Sequence, residues 1–219
     1  MSTILKKLIR LFLGLWFCAM GIAFMVNAKL GLSPWDVLHQ GIANKIGITI
    51  GTATIAVGLI LVIIDVILGE KIGWGTVLNM IFIGIFLDII LFSGLIPVSN
   101  NLVFGIVMLI IGMTLMGFGM VLYLGSGLGS GPRDGMMIAF QKITKKPIKV
   151  VRGTMEISAL ILGYLLGEPV GIGTLITAFC LGHFIQLVFK ICNFKSANIK
   201  HRFIYQDIEY AKSYLSKNT

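Results

Sequence analysis

The chain has 219 residues, of which 57% are hydrophobic and only 12% charged, with a mean hydropathy of +0.96 and a net charge of +9. Soluble domains carry about a quarter charged residues, so this composition excludes a soluble globular protein and points to the membrane. Apolar runs near 11–26, 52–68, 76–98, 102–124, 154–170 and 172–191 predict six transmembrane helices. Ten-residue alternating strands are absent, which argues against a barrel. After the first and fourth runs a Gly-rich loop leads into a short helix, over 33–44 and 131–142. Pro34 and Pro132 suit the first helical position. Ser33 suits a cap, and Asp36 and Asp134 complement the positive helix end. A helix of about 12 residues is roughly 18 Å long, too short to span. Each short helix therefore lies on the surface or dips into the membrane and returns, and the sequence leaves both open. The tail, 192–219, puts Phe203, Ile204, Ile208, Ala211 and Leu215 at helical spacing, which suggests a cytosolic helix lying on the membrane or on the protein.

The chain is written twice. At a constant offset of 98 positions Gly14 falls on Gly112 and Gly21 on Gly119, Pro34 on Pro132 and Asp36 on Asp134. Gly69-Glu70 falls on Gly167-Glu168, and Gly73-x-Gly75-Thr76 on Gly171-x-Gly173-Thr174. Matches of Gly, Pro, Asp and Glu at one offset mark a duplication. The division is repeat one over 1–98, repeat two over 99–191 and a cytosolic polar tail over 192–219. With three spans in each copy, the copies are inverted relative to one another, an arrangement that places a substrate site where they meet. The expected fold is thus an all-α membrane protein of six transmembrane helices, built as two inverted three-helix repeats, each with a short helix after its first span.

Basic residues set the orientation. With the N-terminus inside, Lys6, Lys7, Arg10, Lys71, Arg133, Lys142, Lys145, Lys146, Lys149, Arg152, Lys190 and the basic residues of the tail are cytoplasmic, and only Lys29 and Lys45 lie outside. The positive charge therefore reflects topology and anionic inner-leaflet lipid; no nucleic-acid motif accompanies it. Residues 1–28 have the look of a signal peptide ending at Val26-Asn27-Ala28, but removing them would strip one copy of its first helix. Cys18, Cys180 and Cys192 are isolated, His39, His183 and His201 are scattered, and no metal-ligand spacing occurs. No cofactor is expected.

If both short helices re-enter, their N-termini converge on one point with exposed amides, glycines and positive dipole ends. The substrate-binding candidates are therefore Gly31, Ser33 and Asp36 in the first copy and Gly129, Ser130, Gly131, Arg133 and Asp134 in the second. Arg133 either holds a negatively charged solute group or serves as an inner-face anchor. Polar groups deep in spans are costly, so Asp88, Glu156, His183 and Gln186 are candidates for coupling. Helical rise places Asp88 and His183 at similar depth on the third span of each copy, where inversion would bring them together. A structural pair that fixes helix packing is the alternative. The Gly-Glu-x-x-Gly-x-Gly-Thr turns are read as structural, with Glu70 or Glu168 neutralising a helix end.

Gly31-x-x-Pro34-Trp35-Asp36 and Gly129-x-Gly131-Pro132-Arg133-Asp134-Gly135, with the two Gly-Glu turns, resemble the YczE/YyaS/YitT family of bacterial membrane proteins over residues 1–191. The resemblance implies a multi-pass protein of about six helices in the bacterial inner membrane, both termini cytoplasmic, and carries over no site residue. The expected function is a secondary transporter or permease for a small polar or anionic solute, working in the lipid bilayer without nucleic acid and open to homo-oligomerisation. The alternative is a membrane scaffold or regulatory protein acting on a partner complex. An enzyme is not expected, since no nucleophile–base pair or metal set stands out.

Overall fold

The computed structural model describes residues 3–196, 199–207, 209 and 213. It is an all-helical membrane protein. Eight helices hold the repeat region: α1 (Thr3–Asn27), α2 (Pro34–Ile46), α3 (Ile50–Ile67), α4 (Trp74–Phe92), α5 (Leu102–Gly125), α6 (Pro132–Thr144), α7 (Ile148–Leu165) and α8 (Ile172–Ile191). From α2 to α8 the helix starts recur at the offset of the duplication, Pro34 with Pro132, Ile50 with Ile148 and Trp74 with Ile172.

Five helices, α1, α3, α4, α5 and α8, are long and apolar enough to cross a membrane. The helix α7 has the length of α3 but carries Lys149, Arg152 and Glu156. It also begins earlier than the apolar run indicates, because Pro147 starts it and the basic residues that follow are good helix formers. The short helices start at proline and stop at left-handed residues, Gly47 after α2 and Lys145 after α6. Thr49 and Asn101 cap α3 and α5 by accepting from Thr52 N and Phe104 N. Ser33 makes no such cap; its hydroxyl donates instead to Asp36 Oδ2 at 2.5 Å.

The central pair is α1 against α5. A Cβ added to Gly14 would stand 2.8 Å from the Gly119 carbonyl oxygen, and one added to Gly21 would stand 2.6 Å from that of Gly112. Small residues allow this approach of two backbones. The two contacts are reciprocal, since Gly14 is the repeat mate of Gly112 and Gly21 of Gly119. They also show that α1 and α5 run antiparallel. Reciprocal contact is the mark of a two-fold relation, and it recurs throughout. Gly75 N donates to Leu128 O at 2.7 Å and Gly173 N to Leu30 O at 2.6 Å. Glu70 pairs with Lys142 at 2.6 Å, and Glu168 accepts from Asn44 at 2.9 Å. These glutamates thus pin the far end of the other copy's short helix rather than neutralise a helix end. Each short helix packs on the other copy, α2 on α7 and α6 on α3.

The copies differ in how their last two helices meet. In the first, α3 lies tight on α4: the backbones of Gly51 and Gly84 touch, and Asp88 accepts from Thr49 Oγ1 at 2.5 Å and Gly51 N at 2.9 Å. In the second, α7 and α8 make no comparable contact, and a Cβ on Gly182, the mate of Gly84, would meet nothing within 4 Å.

Part of the tail lies on the protein. Arg202 N donates to Gly127 O at 2.8 Å, Ile204 N to Ile72 O at 3.0 Å, and Trp74 Nε1 to Asp207 at 3.0 Å. Ile208, Ala211 and Leu215, which complete the helical spacing read from the sequence, lie outside the described residues.

Candidate functional site: a cavity between the two copies

The glycine loops ahead of α2 and α6 set the site. Gly31 and Gly129 have φ of 115° and 132°, which favours residues without a Cβ. Each also lies against the threonine of the other copy's Gly-x-Gly-Thr turn, with a Cβ falling 2.6 Å from Thr174 Oγ1 and 2.7 Å from Thr76 Oγ1 respectively. Thr174 and Thr76 are buried and accept from Gly171 N and Gly73 N, both at 3.3 Å. Each copy thereby clamps the loop of the other, and the two short helices bring their N-termini to a common cavity of about 170 Å³.

That cavity sits on the two-fold relation. Trp35 and Arg133 are repeat mates, and the Arg133 guanidinium lies over the Trp35 ring, 4.7 Å from its centroid. Cys18 and Met116 are also mates, and both line the cavity; the Cys18 thiol faces the Met116 carbonyl at 4.0 Å. Mates that touch one another lie at the axis.

The polar lining is a linked set. Asp36 is buried behind the wall and accepts from Ser33. His39, one turn on and 1% exposed, has Nδ1 3.5 Å from Asp36 Oδ1 and 3.2 Å from Thr54 Oγ1. The Thr54 hydroxyl is already committed as donor to Ile50 O at 2.8 Å, so His39 Nδ1–H is the donor to Thr54. The other ring nitrogen, Nε2, then accepts from Arg133 Nη2 at 3.4 Å. A neutral His39 in this tautomer fits both contacts; a charged one would turn an N–H toward the guanidinium. Arg133 has five N–H donors, and among the described residues His39 is its one hydrogen-bonding acceptor. Opposite, Tyr123 OH donates to Asp134 Oδ2 at 3.0 Å beside Gly131 and Asn79. Arg152 and Glu156, paired at 3.0 Å, complete the polar wall.

Of the residues singled out from sequence, Ser33, Gly131, Arg133, Asp134 and Glu156 line this cavity. Asp36 backs it through Ser33 and His39, while Gly31 and Gly129 act one layer out as clamped loop residues. Ser130 is half-buried and stands outside the lining. Asp88 and His183 do not meet. Asp88 holds the N-terminus of α3, and His183 is exposed with Nδ1 facing the Phe179 carbonyl of its own helix at 2.9 Å. Gln186 is exposed as well. The reason is that the first helices of the copies, α1 and α5, occupy the axis, so α4 and α8 are held apart. His39, Thr54, Asn79, Tyr123, Arg152 and Thr177 line the cavity and were not singled out. Two signals pointed to some of them: His39 follows Asp36 at helical spacing, and Asn79 and Thr177 are repeat mates.

The chain was compared with known proteins. A family of unknown function, DUF6198, matches residues 5–190. The chain is 33% identical over 175 residues to the uncharacterized membrane protein YczE of Bacillus subtilis, covering 78% of this chain and 80% of that one. It is 36% identical over 186 residues to an uncharacterized protein of Haemophilus influenzae, covering 85% and 84%. To the uncharacterized protein YyaS of Bacillus subtilis it is 32% identical over 180 residues, covering 81% and 89%. No solved structure matches the chain. With the motif-bearing loops, the clamping turns and the helices between them all inside the matched span, the chain belongs to the DUF6198 family and is related to YczE and YyaS.

Proposed function

We propose that the protein is a secondary transporter or permease of the bacterial cytoplasmic membrane, carrying a small anionic solute through the cavity between its two copies. The observation that carries this reading is Arg133. Its guanidinium is fixed by Trp35 and His39 at the axis of the molecule, lines the cavity, and keeps most of its donors unfilled by described residues. A planar fork of donors suits a carboxylate or phosphate oxygen pair. Helix N-termini converging from both copies add partial positive charge at the same place.

In this reading α7 is the sixth span. Arg152 and Glu156 neutralise one another along the helix, which lowers the cost of their place in it. Three spans in each copy then agree with the antiparallel α1 and α5, and both termini are cytoplasmic. On that orientation the Thr49–Gly51–Asp88 contact seals the outer side, and the parted α7 and α8 leave the cavity approached from the inside. Exchange of the two arrangements, with α7 closing on α8 as α3 leaves α4, would present the cavity to the other face. Carriage of a solute, rather than an enzymatic reaction on it, is what such an exchange accomplishes.

Untargeted metabolite comparison of deletion and overexpressing cells supplies candidate solutes, and uptake into proteoliposomes tests them. Uptake of one anionic solute that wild-type protein supports and Arg133→Gln abolishes is the expected result. A solute whose uptake is unchanged by Arg133→Gln, in protein of normal folded yield, would overturn the assignment of the site.

A further inference from the structure

We propose that Asp65 is a proton-carrying carboxyl group, holding a proton while α3 is packed on α4 and α6 and releasing it to the cytoplasmic side when α3 leaves α4. The coupling to α3 movement rests on the transport reading above; the proton on Asp65 does not.

Asp65 lies in the last turn of α3, is 0% exposed, and neither of its carboxyl oxygens has a hydrogen-bond partner. It stands against Gly135 of α6, with Oδ2 occupying the place a Cβ on Gly135 would take. The charged groups that act on it are acidic, Glu70 from the turn after α3 and Asp134 from α6, and Arg133 of α6 is turned to Trp35 and His39. Lys142 of α6 is bound to Glu70. From α4 the one charged residue is Asp88, engaged at the opposite end of α3. From α2, Asp36 and His39 stand beside Thr54, about 16 Å away by helical rise, and Lys45 is exposed.

An ionised Asp65 would meet three costs of one sign. It would be a buried charge without a donor, it would face two other carboxylates, and it would sit at the negative end of a helix dipole. The neutral acid meets none of them. The duplication shows, moreover, that the fold does not need a carboxyl here. The mate of Asp65 is Gly163, which packs on the backbone of Val37 and Leu38 in α2, a Cβ there falling 2.6 Å from Leu38 N. Val37 is in turn the mate of Gly135. The small residue is on the spanning helix in one copy and on the short helix in the other, so Gly135 leaves room for Asp65. A costly group retained inside a membrane protein where its mate is glycine reads as functional.

Infrared spectroscopy of the full chain in lipid nanodiscs reads the proton directly, through the C=O stretch of a neutral carboxyl. We expect one such band in wild-type protein at neutral pH, its reversible loss at alkaline pH, and its absence in Asp65→Asn, which mimics the neutral acid and should fold with wild-type yield. If Asp65→Asn does not fold, Asp65→Gly, the residue of the mate position, serves for the same comparison. A spectrum that neither variant alters would overturn the proposal. So would loss of the band on adding sodium at constant pH, which would assign the site to a metal cation. Because no solute is present, a band lost in Asp65→Asn stands even if no transport is ever measured, and failure of the band leaves Arg133-dependent uptake untouched.

Discussion

Arg133 could be singled out from sequence because it breaks the duplication: its mate is Trp35, and both follow a helix-starting proline. That the Trp35 ring lies under the guanidinium and His39 at its edge was not legible, since helical spacing ties His39 to Asp36 in its own copy and says nothing of the other copy. Only folding reveals that His39 faces Arg133 from the other copy. Charge-assisted hydrogen bonds to a guanidinium contribute about 1.5–3 kcal/mol. Arg133→Lys is therefore expected to weaken solute binding by tenfold or more with folded yield intact, because a point charge cannot reproduce the fork. Binding to purified protein checks this. Asp88 shows the opposite case. Its depth suggested coupling, whereas it serves as the acceptor for Gly51 N and Thr49. Loss of such a helix-end acceptor costs about 1 kcal/mol, so Asp88→Ala is expected to lower the melting temperature in detergent. His183→Ala, which removes an exposed ring, is expected to leave it unchanged.

At the scale of the element, the helices and their order were readable from apolar runs and from paired Pro and Gly. The packing between them was not, because an apolar run does not say which of its faces meets which neighbour. The glycines Gly84 and Gly182 are repeat mates, yet a Cβ on the first would run into Gly51 O while one on the second would meet nothing within 4 Å. Gly84→Val is expected to cost about 3 kcal/mol by overpacking and to reduce folded yield. Gly182→Val is expected to fold normally, and comparing the two yields is the check. Docking of the tail offers a pH-dependent test. Gly129 N donates to His201 Nδ1 at 3.2 Å, and burial holds the His201 pKa below its ordinary value. A histidine whose neutral form is favoured when docked contributes fully above the free value of about 6.5. That contribution falls as pH drops below it, down to the lowered docked pKa. Tail release, read by limited proteolysis, is therefore expected to rise as pH falls from about 7 to 5, and His201→Gln is expected to blunt the change.

For the whole molecule, the duplication was the most legible property of the sequence, and its geometry follows from reciprocal contacts at Gly14 and Gly119, Gly75 and Leu128, Glu70 and Lys142. What the duplication alone does not specify is which helices share the axis. The glycine pairs of α1 and α5 do, and the cavity forms beside them where both short helices end. Nor does it specify by itself that the copies differ in the tightness of their last two helices, although the residues of the tight contact, Thr49, Gly51 and Asp88, have Pro147, Lys149 and Gln186 as their mates. The claim that this cavity serves passage across the membrane meets its most direct test in two-sided labelling. Ala178 lines the cavity; in protein freed of Cys18, Cys180 and Cys192, Ala178→Cys in proteoliposomes is treated with a membrane-impermeant maleimide from each face in turn. Labelling from both faces, with the inner face faster, is the expected result. Labelling from one face alone, or from neither, would contradict alternating exposure of the site.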